Sequence, residues 1–125
     1  MYWFIKAMKD MFNFKGRARR KEYWLFYLFG SIISLIVGII LGIFEQTANL
    51  EGNIVLGALY LIIVILLSIA FLSVTFRRLH DTGRSGWWIW IQFIPLIGGI
   101  VIFVFTVLDS EEGMNKYGEN PKALI

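Results

Sequence analysis

Three long stretches of the chain contain no charged side chain. They run from about residue 24 to 44, from 54 to 76 and from 87 to 108. At a rise of about 1.5 Å per residue, a helix of any of these lengths can cross the roughly 30 Å hydrocarbon core of a bilayer. Polar segments separate the stretches, at residues 45–53, at residues 77–86 and in a tail from 109 to 125. The pattern predicts a single all-α membrane domain, residues 1–125, with three transmembrane helices.

The first fourteen residues predict a further helix that does not cross the membrane. Lys6, Lys9, Asp10 and Asn13 recur at helical spacing and share one face, while most aromatic and methionine side chains fall on the other side. The segment is too short and too highly charged to span a bilayer. We therefore expect residues 1–14 to form an amphipathic helix at the membrane interface.

Composition supports a membrane location. Hydrophobic residues make up 58% of the chain and charged residues 17%, which is more apolar surface than one soluble core of 125 residues can bury. The net charge of +3 comes from basic clusters beside the apolar stretches, a pattern that does not indicate nucleic acid as a partner. The first apolar stretch is longer than the core of a signal peptide and has no cleavage site after it, so we interpret it as a retained span.

The distribution of lysine and arginine predicts the orientation. Residues 1–23 contain seven of these side chains, residues 45–53 none, residues 77–86 three and the tail two. Cytoplasmic segments carry the excess of basic residues. We therefore expect the N-terminus and the 77–86 loop in the cytoplasm, and the 45–53 loop and the C-terminal tail outside.

The third stretch contains the sequence IPLIGG at residues 94–99. Pro95 cannot donate a helix hydrogen bond and the two glycines are flexible, so a kink is expected. We favour a kinked single span. The alternative is a re-entrant hairpin, which would return the tail to the cytoplasmic side.

The sequence RRLHDTGRSGWW, residues 77–88, holds three arginines, the only histidine of the chain and an aspartate. Membrane topology accounts for much of it, because arginines anchor span ends, Asp-Thr-Gly is a turn signal and Ser85 is suited to cap the next helix. Asp81 can in addition fix neighbouring arginines through charge-assisted hydrogen bonds. We expect this cluster to meet the basic segment at residues 17–21, with Asp81 and Glu22 as the counter-charges.

Arginine and histidine together suit phosphate, including the headgroups of anionic lipids. The candidate headgroup-binding residues are Arg17, Arg19, Arg20, Arg77, Arg78, His80, Asp81 and Arg84. A second candidate feature is a ladder of small residues on the first span, Gly30, Ser34, Gly38 and Gly42. Small residues at intervals of four favour close packing between membrane helices, within one chain or between chains.

These residues favour a non-enzymatic, multi-pass membrane protein with a basic, aromatic cytoplasmic face that binds anionic lipid or a partner protein. One alternative is a channel or transporter subunit that forms homo-oligomers. Another is an enzyme that acts on lipid headgroups through His80 and Asp81, although no nucleophile or catalytic triad is apparent. The chain has no cysteine and one histidine, so we expect neither a disulfide nor a metal site, and no motif indicates a cofactor.

Four segments, GRARRKEYW, RRLHDTGRSGWW, IPLIGG and NKYGENP, together resemble the YhaH/YhaI-like small bacterial inner-membrane proteins, the family called domain of unknown function 805. The resemblance covers nearly the whole chain. It implies a multi-pass protein of the bacterial cytoplasmic membrane, and it implies no catalytic residues and no particular activity.

Overall fold

The computed structural model describes residues 2–121 of the chain and is all-helical over that range, as predicted. Its elements are α1 (Tyr2–Lys9), α2 (Arg20–Thr47), α3 (Ile54–Asp81), a 3-10 helix (Gly86–Phe93) and α4 (Ile97–Val107). Met1, which we assigned to the interfacial helix, and residues 122–125 of the tail lie outside the described residues.

The long helices α2 and α3 form an antiparallel pair. They contain the first two predicted spans and extend them, and the Asn53 side chain caps α3 by accepting hydrogen bonds from the backbone N–H groups of Val55 (2.9 Å) and Leu56 (3.1 Å). Both helices are long and apolar enough to cross a membrane, yet only 11% and 6% of their most apolar windows are buried. The core helix of a soluble protein would instead hide such side chains.

The prediction of a third span as one helix is wrong. Residues 87–108 form two short arms, the 3-10 helix and α4, which pack against each other. The chain reverses at residues 94–96, where Leu96 adopts a left-handed backbone conformation with a φ of 67°. With eight residues at about 2.0 Å and eleven at about 1.5 Å, each arm is about 16 Å long, roughly half the hydrocarbon core of a bilayer. The alternative of a hairpin is the arrangement that the structure has.

The reversal brings the tail back to the end of the molecule where α2 begins and α3 ends. We call this the charged end. The tail was expected on the side opposite to the 77–86 loop, but Glu111 donates its backbone N–H to the carbonyl oxygen of Asp81 at 2.7 Å. The tail and the end of α3 therefore lie together, because the hairpin does not carry the chain across the molecule.

Helix α1 confirms a helix within residues 1–14, although it is shorter than predicted and packs partly on protein. Ala7 is fully buried, and the Phe4 ring stacks on Phe26 of α2 with 5.3 Å between centroids. Ser73 of α3 donates its hydroxyl to the carbonyl oxygens of Asp10 and Asn13 just beyond the helix. The N-terminal segment is thus held against both long helices.

The predicted 77–86 loop is reduced to residues 82–85, since α3 continues to Asp81. The helix ends in a Schellman motif, in which Gly83 adopts a φ of 80° and donates to the carbonyl oxygen of His80, while Arg84 donates to that of Leu79. Ser85 caps the following helix by accepting from the N–H of Trp87, as expected. Residues 77–81 of the sequence RRLHDTGRSGWW therefore belong to the C-terminal end of α3.

Candidate functional site

At the charged end, Asp81 is the centre of a buried hydrogen-bond network. Its side chain is fully buried and accepts a hydrogen bond from Arg17 Nε at 2.9 Å. It also accepts from Arg78 Nη1 and from the hydroxyl of Ser110 in the tail. One carboxylate therefore joins the segment before α2, the last turn of α3 and the tail.

The two arginines on Asp81 also hold backbone carbonyl groups in place. Arg17 donates to the carbonyl oxygens of Glu111 at 2.6 Å and Gly113 at 2.8 Å, both in the tail. Arg78 donates to those of Thr106 at 3.0 Å and Ala18 at 3.1 Å, and to that of Leu108. These are charge-assisted hydrogen bonds in a buried site, so each arginine fixes the position of several segments.

A second buried pair lies beside the first. Arg77 Nη1 donates to Glu22 of α2, and Lys6 of α1 approaches the same carboxylate at 3.3 Å and Asp10 at 3.1 Å. The Nε and Nη2 groups of Arg77 are buried and have no hydrogen-bond partner among residues 2–121. This pair connects α1, α2 and α3, while the Asp81 cluster connects α3 to the tail.

His80 is held by contacts of a different kind. Its Nδ1 lies 3.0 Å from the carbonyl oxygen of Gly16, and its ring stacks on Tyr117 with 3.8 Å between centroids and 2° between planes. The side-chain amide of Asn115 donates to the His80 carbonyl oxygen at 3.0 Å. The histidine therefore connects the segment before α2 to the tail.

The structure brings the two predicted basic segments together through the expected counter-charges, Asp81 and Glu22. It does not support the whole candidate set as headgroup ligands. Five of the eight side chains are enclosed by protein and bonded within it: Arg17, Arg77, Arg78, His80 and Asp81. Contacts with the tail or the N-terminal segment turn the polar groups of Arg17, Arg77 and His80 toward protein.

The remaining three candidates lie toward the surface. Arg19 sits over the Trp3 ring at 5.2 Å, Arg84 over the Phe105 ring at 4.2 Å, and Arg20 is 3.5 Å from Asp109. The contribution of the tail, which supplies Ser110, Asn115 and Tyr117, was not predicted from the sequence. The only signal for it was the presence of NKYGENP among the segments that carry the family resemblance.

The arrangement gives no support to paired chemistry by His80 and Asp81. Neighbouring residues on a helix point in different directions, and here the imidazole faces Gly16 while the carboxylate faces Arg17 and Arg78. Among the described residues, no group of three or more histidine, aspartate or glutamate side chains is arranged to hold a metal ion.

Part of the ladder of small residues lies along a groove, and its close packing within the chain or against another chain stays a prediction. Gly30, Ser34 and Gly38 line an apolar groove of about 1200 Å³ between α2, α3 and the 3-10 helix. A Cβ on Gly38 would lie 3.5 Å from the Tyr60 ring, whereas one on Gly42 would have no atom of the described residues within 4 Å. The small side chains of Gly30, Ser34 and Gly38 leave room for this groove.

Fold and site together define a small helical protein with two helices able to cross a membrane, a hairpin and a charged end closed by buried ion pairs. The chain belongs to the family described as protein of unknown function (DUF805), whose family model matches residues 11–119. It is 42% identical over 125 residues to the inner membrane protein YhaH of Escherichia coli K12, with 98% of each chain covered.

A second relative from the same organism, the inner membrane protein YhaI, is 41% identical over 122 residues, which cover 98% of this chain and 97% of the relative. The uncharacterized protein YiiR is 31% identical over 135 residues, covering 88% and 86%. No solved structure matches. The resemblance seen in the sequence is confirmed, and the names of the relatives support the cytoplasmic membrane as the location.

Proposed function

We propose that this chain is a non-enzymatic protein that crosses the cytoplasmic membrane twice and binds anionic lipid at a cytoplasmic charged end. Helices α2 and α3 are the two spans, and the hairpin enters the membrane from the cytoplasmic side and returns. Every lysine and arginine within residues 2–121 lies in the segments that meet at the charged end, and the connection between α2 and α3 has none. This bias supports a cytoplasmic charged end.

Lipid binding is supported by two different kinds of charge at this end, buried ion pairs and outward-facing cations. The interior arginines bind the buried carboxylates of Glu22 and Asp81. Another set of cations faces outward, and none of its members has an ion pair with a residue in the range 2–121: Lys9, Lys15, Arg19, Lys21 and Lys116. Each such cation contributes roughly 1 kcal/mol near an anionic membrane surface.

Exposed tryptophans support the same placement. Trp87 and Trp90 on the first arm of the hairpin are 70% and 56% exposed, which is costly in water but favourable at headgroup depth. They would hold the outward cations at the level of lipid phosphates. The groove beside them is lined mainly by apolar side chains, so it favours hydrocarbon and gives no support to the channel alternative.

The test removes three outward cations together, in Lys9→Gln, Arg19→Gln and Lys21→Gln. The protein is reconstituted with brominated phosphatidylglycerol or brominated phosphatidylcholine, and quenching of tryptophan fluorescence reports which lipid lies at the charged end. At roughly 1 kcal/mol per cation, we expect the preference for phosphatidylglycerol to fall by at least about tenfold.

The matched control is the double variant Arg20→Gln with Asp109→Asn. It removes one cation and one anion of an exposed pair at the same end and leaves the net charge unchanged, so the lipid preference should persist. An unchanged preference in the triple variant would contradict lipid binding. It would leave a partner protein as the alternative for this face.

A further inference from the structure

The proposed lipid binding by the charged end gives no role to the apolar groove between α2, α3 and the 3-10 helix. Small side chains on α2 face aromatic ones on the other elements, and the walls include Gly30, Ser34, Gly38, Tyr60, Phe71 and Trp90. Its volume of about 1200 Å³ exceeds the roughly 300–1,000 Å³ typical of small-molecule pockets. The shape is long and mainly apolar, which favours a hydrocarbon occupant.

The groove runs along the middle of both long helices, and on α3 its lining extends from Tyr60 to Phe76, about 24 Å at about 1.5 Å per residue. On α2 its lining extends from Phe26 to Ile39, which at about 1.5 Å per residue corresponds to about 20 Å. One leaflet of a roughly 30 Å hydrocarbon core is about 15 Å deep. A single hydrocarbon chain entering at the charged end would therefore lie along the groove for the depth of one leaflet.

Aromatic rings connect the groove to two cations. Phe76 lines the groove, and its ring contacts those of Phe14 and His80, with centroids 5.4 Å and 6.4 Å away. Lys15 follows Phe14 in the chain, and the Lys116 ammonium lies 5.1 Å from the centre of the tyrosine ring that stacks on His80. Both lysines are exposed outward cations. These contacts connect the groove wall at Phe76 to the two segments that carry Lys15 and Lys116.

We propose that the groove binds one acyl chain of an anionic phospholipid, whose phosphate lies beside Lys15 and Lys116. Charge complementarity favours this occupant over a second copy of the chain. A second copy would bring its own cations to the same end, whereas an anionic headgroup neutralises those already present. The inference rests on the proposed function, because it needs the charged end to lie at a lipid surface.

The test measures lipid retained by the full-length protein. The protein is purified in a mild detergent, incubated with dioleoyl phosphatidylglycerol or dioleoyl phosphatidylcholine, and weighed intact by native mass spectrometry. We expect one phosphatidylglycerol per chain. Gly38→Leu places a side chain in the groove and should lower this occupancy by at least about tenfold. If Gly38→Leu lowers thermal stability, Ser34→Leu fills the same groove one turn away and is used in its place.

The matched control is Gly57→Leu, the same substitution on α3 outside the groove, where a Cβ would have no described atom within 4 Å. It should retain lipid as the unmodified chain does. Lys15→Gln combined with Lys116→Gln should reduce phosphatidylglycerol retention to the level of phosphatidylcholine. Equal retention by the Gly38→Leu and Gly57→Leu variants would show bulk surface lipid only and overturn the proposal.

A lipid-free dimer that Gly38→Leu dissociates would also overturn it, by placing a second copy in the groove. Failure of the proposed function is distinguishable from these results. That test varies Lys9, Arg19 and Lys21, none of which lines the groove, and it measures headgroup preference rather than the number of retained lipids.

Discussion

Arg77 and Arg78 are consecutive, both fully buried and both paired with a carboxylate, but their guanidinium groups are used differently. Arg78 donates through Nε, Nη1 and Nη2 to Asp81 and to carbonyl oxygens of three other residues. Arg77 donates to Glu22 through Nη1, and its other two nitrogens have no partner within residues 2–121. A lysine keeps the charge but cannot reproduce the planar set of donors. Lysine substitutions at the two positions therefore distinguish the contribution of the positive charge from that of the hydrogen-bond geometry.

We predict that Arg78→Lys destabilises the protein by at least about 2 kcal/mol more than Arg77→Lys, because it leaves buried carbonyl groups without donors at about 1–3 kcal/mol each. Thermal unfolding of both variants in the same detergent, followed by circular dichroism, gives the comparison. Arg77→Lys is the control for loss of the guanidinium group at matched burial. Equal unfolding midpoints would mean that the carbonyl contacts of Arg78 do not hold the tail.

The pairing of Asp81 could be predicted from the sequence, because a single carboxylate lies among three arginines in a short polar segment. The burial of that pair could not. It depends on residues 110–117 folding over the end of α3, and the polar composition of the tail does not indicate which surface it covers. The arginines expected to bind headgroups are enclosed for this reason, and only Arg19, Arg20 and Arg84 of the candidate set remain toward the surface.

At the scale of elements, α2 and α3 were predictable because an uninterrupted apolar stretch specifies a helix long enough to span. The hairpin could not be predicted, because the hydrophobicity of residues 87–108 does not indicate whether the chain continues in one direction or reverses. The local signals lie at the turn itself. Pro95 needs no hydrogen-bond acceptor, and Ile94 and Gly98 donate to Ile91 and Ile94, both at 3.0 Å. These internal hydrogen bonds satisfy part of the backbone of the turn, and unsatisfied backbone groups are costly in lipid.

Gly98 explains why the arms can approach each other. A Cβ at this position would lie 1.7 Å from the Ile91 carbonyl oxygen, whereas one on Gly99 would have no described atom within 4 Å. We predict that Gly98→Ala lowers the free energy of unfolding by about 1–3 kcal/mol or more through overpacking. Gly99→Ala, the adjacent control, should be neutral or raise it by up to about 1 kcal/mol through helix propensity.

The same thermal unfolding assay distinguishes these two variants, and tryptophan fluorescence adds a local readout because Trp88 contacts Phe105 across the arms at 5.6 Å between centroids. Similar unfolding midpoints and spectra for both variants would mean that the arms are not closely packed. A continuous third span would give that result, since both glycines would then lie on one ordinary helix.

At the scale of the whole molecule, specific polar contacts are concentrated at one end. The N-terminal segment, both long helices, the hairpin and the tail all meet there, whereas the opposite end has mainly the Asn53 cap and the hydrogen bond from the Gly52 N–H to Glu45. Between the ends, the surface is apolar. This distribution, together with the positions of lysine and arginine, supports the proposed two-span topology with a re-entrant hairpin.

The chain has no cysteine, so single cysteines can map this topology without a background. Glu51→Cys lies in the connection between α2 and α3, while Lys21→Cys and Glu112→Cys lie at the charged end, and all three positions are exposed. We predict that a membrane-impermeant maleimide labels intact cells, with the outer membrane permeabilised, only in the Glu51→Cys variant. The other two variants should react after the inner membrane is disrupted, and all three should react equally when denatured.

Glu112→Cys is the decisive position, because the tail can lie outside only if residues 87–108 cross the membrane. Labelling of Glu112→Cys in intact cells, with Lys21→Cys protected, would restore the three-span arrangement. It would also break the hydrogen bonds of Arg17 with the Glu111 and Gly113 carbonyl oxygens and that of the Ser110 hydroxyl with Asp81, while Arg17 and Asp81 would still pair with each other. Because a hydrogen bond to a charged group contributes roughly 1.5–3 kcal/mol, we expect the tail to remain on the same side as Arg17.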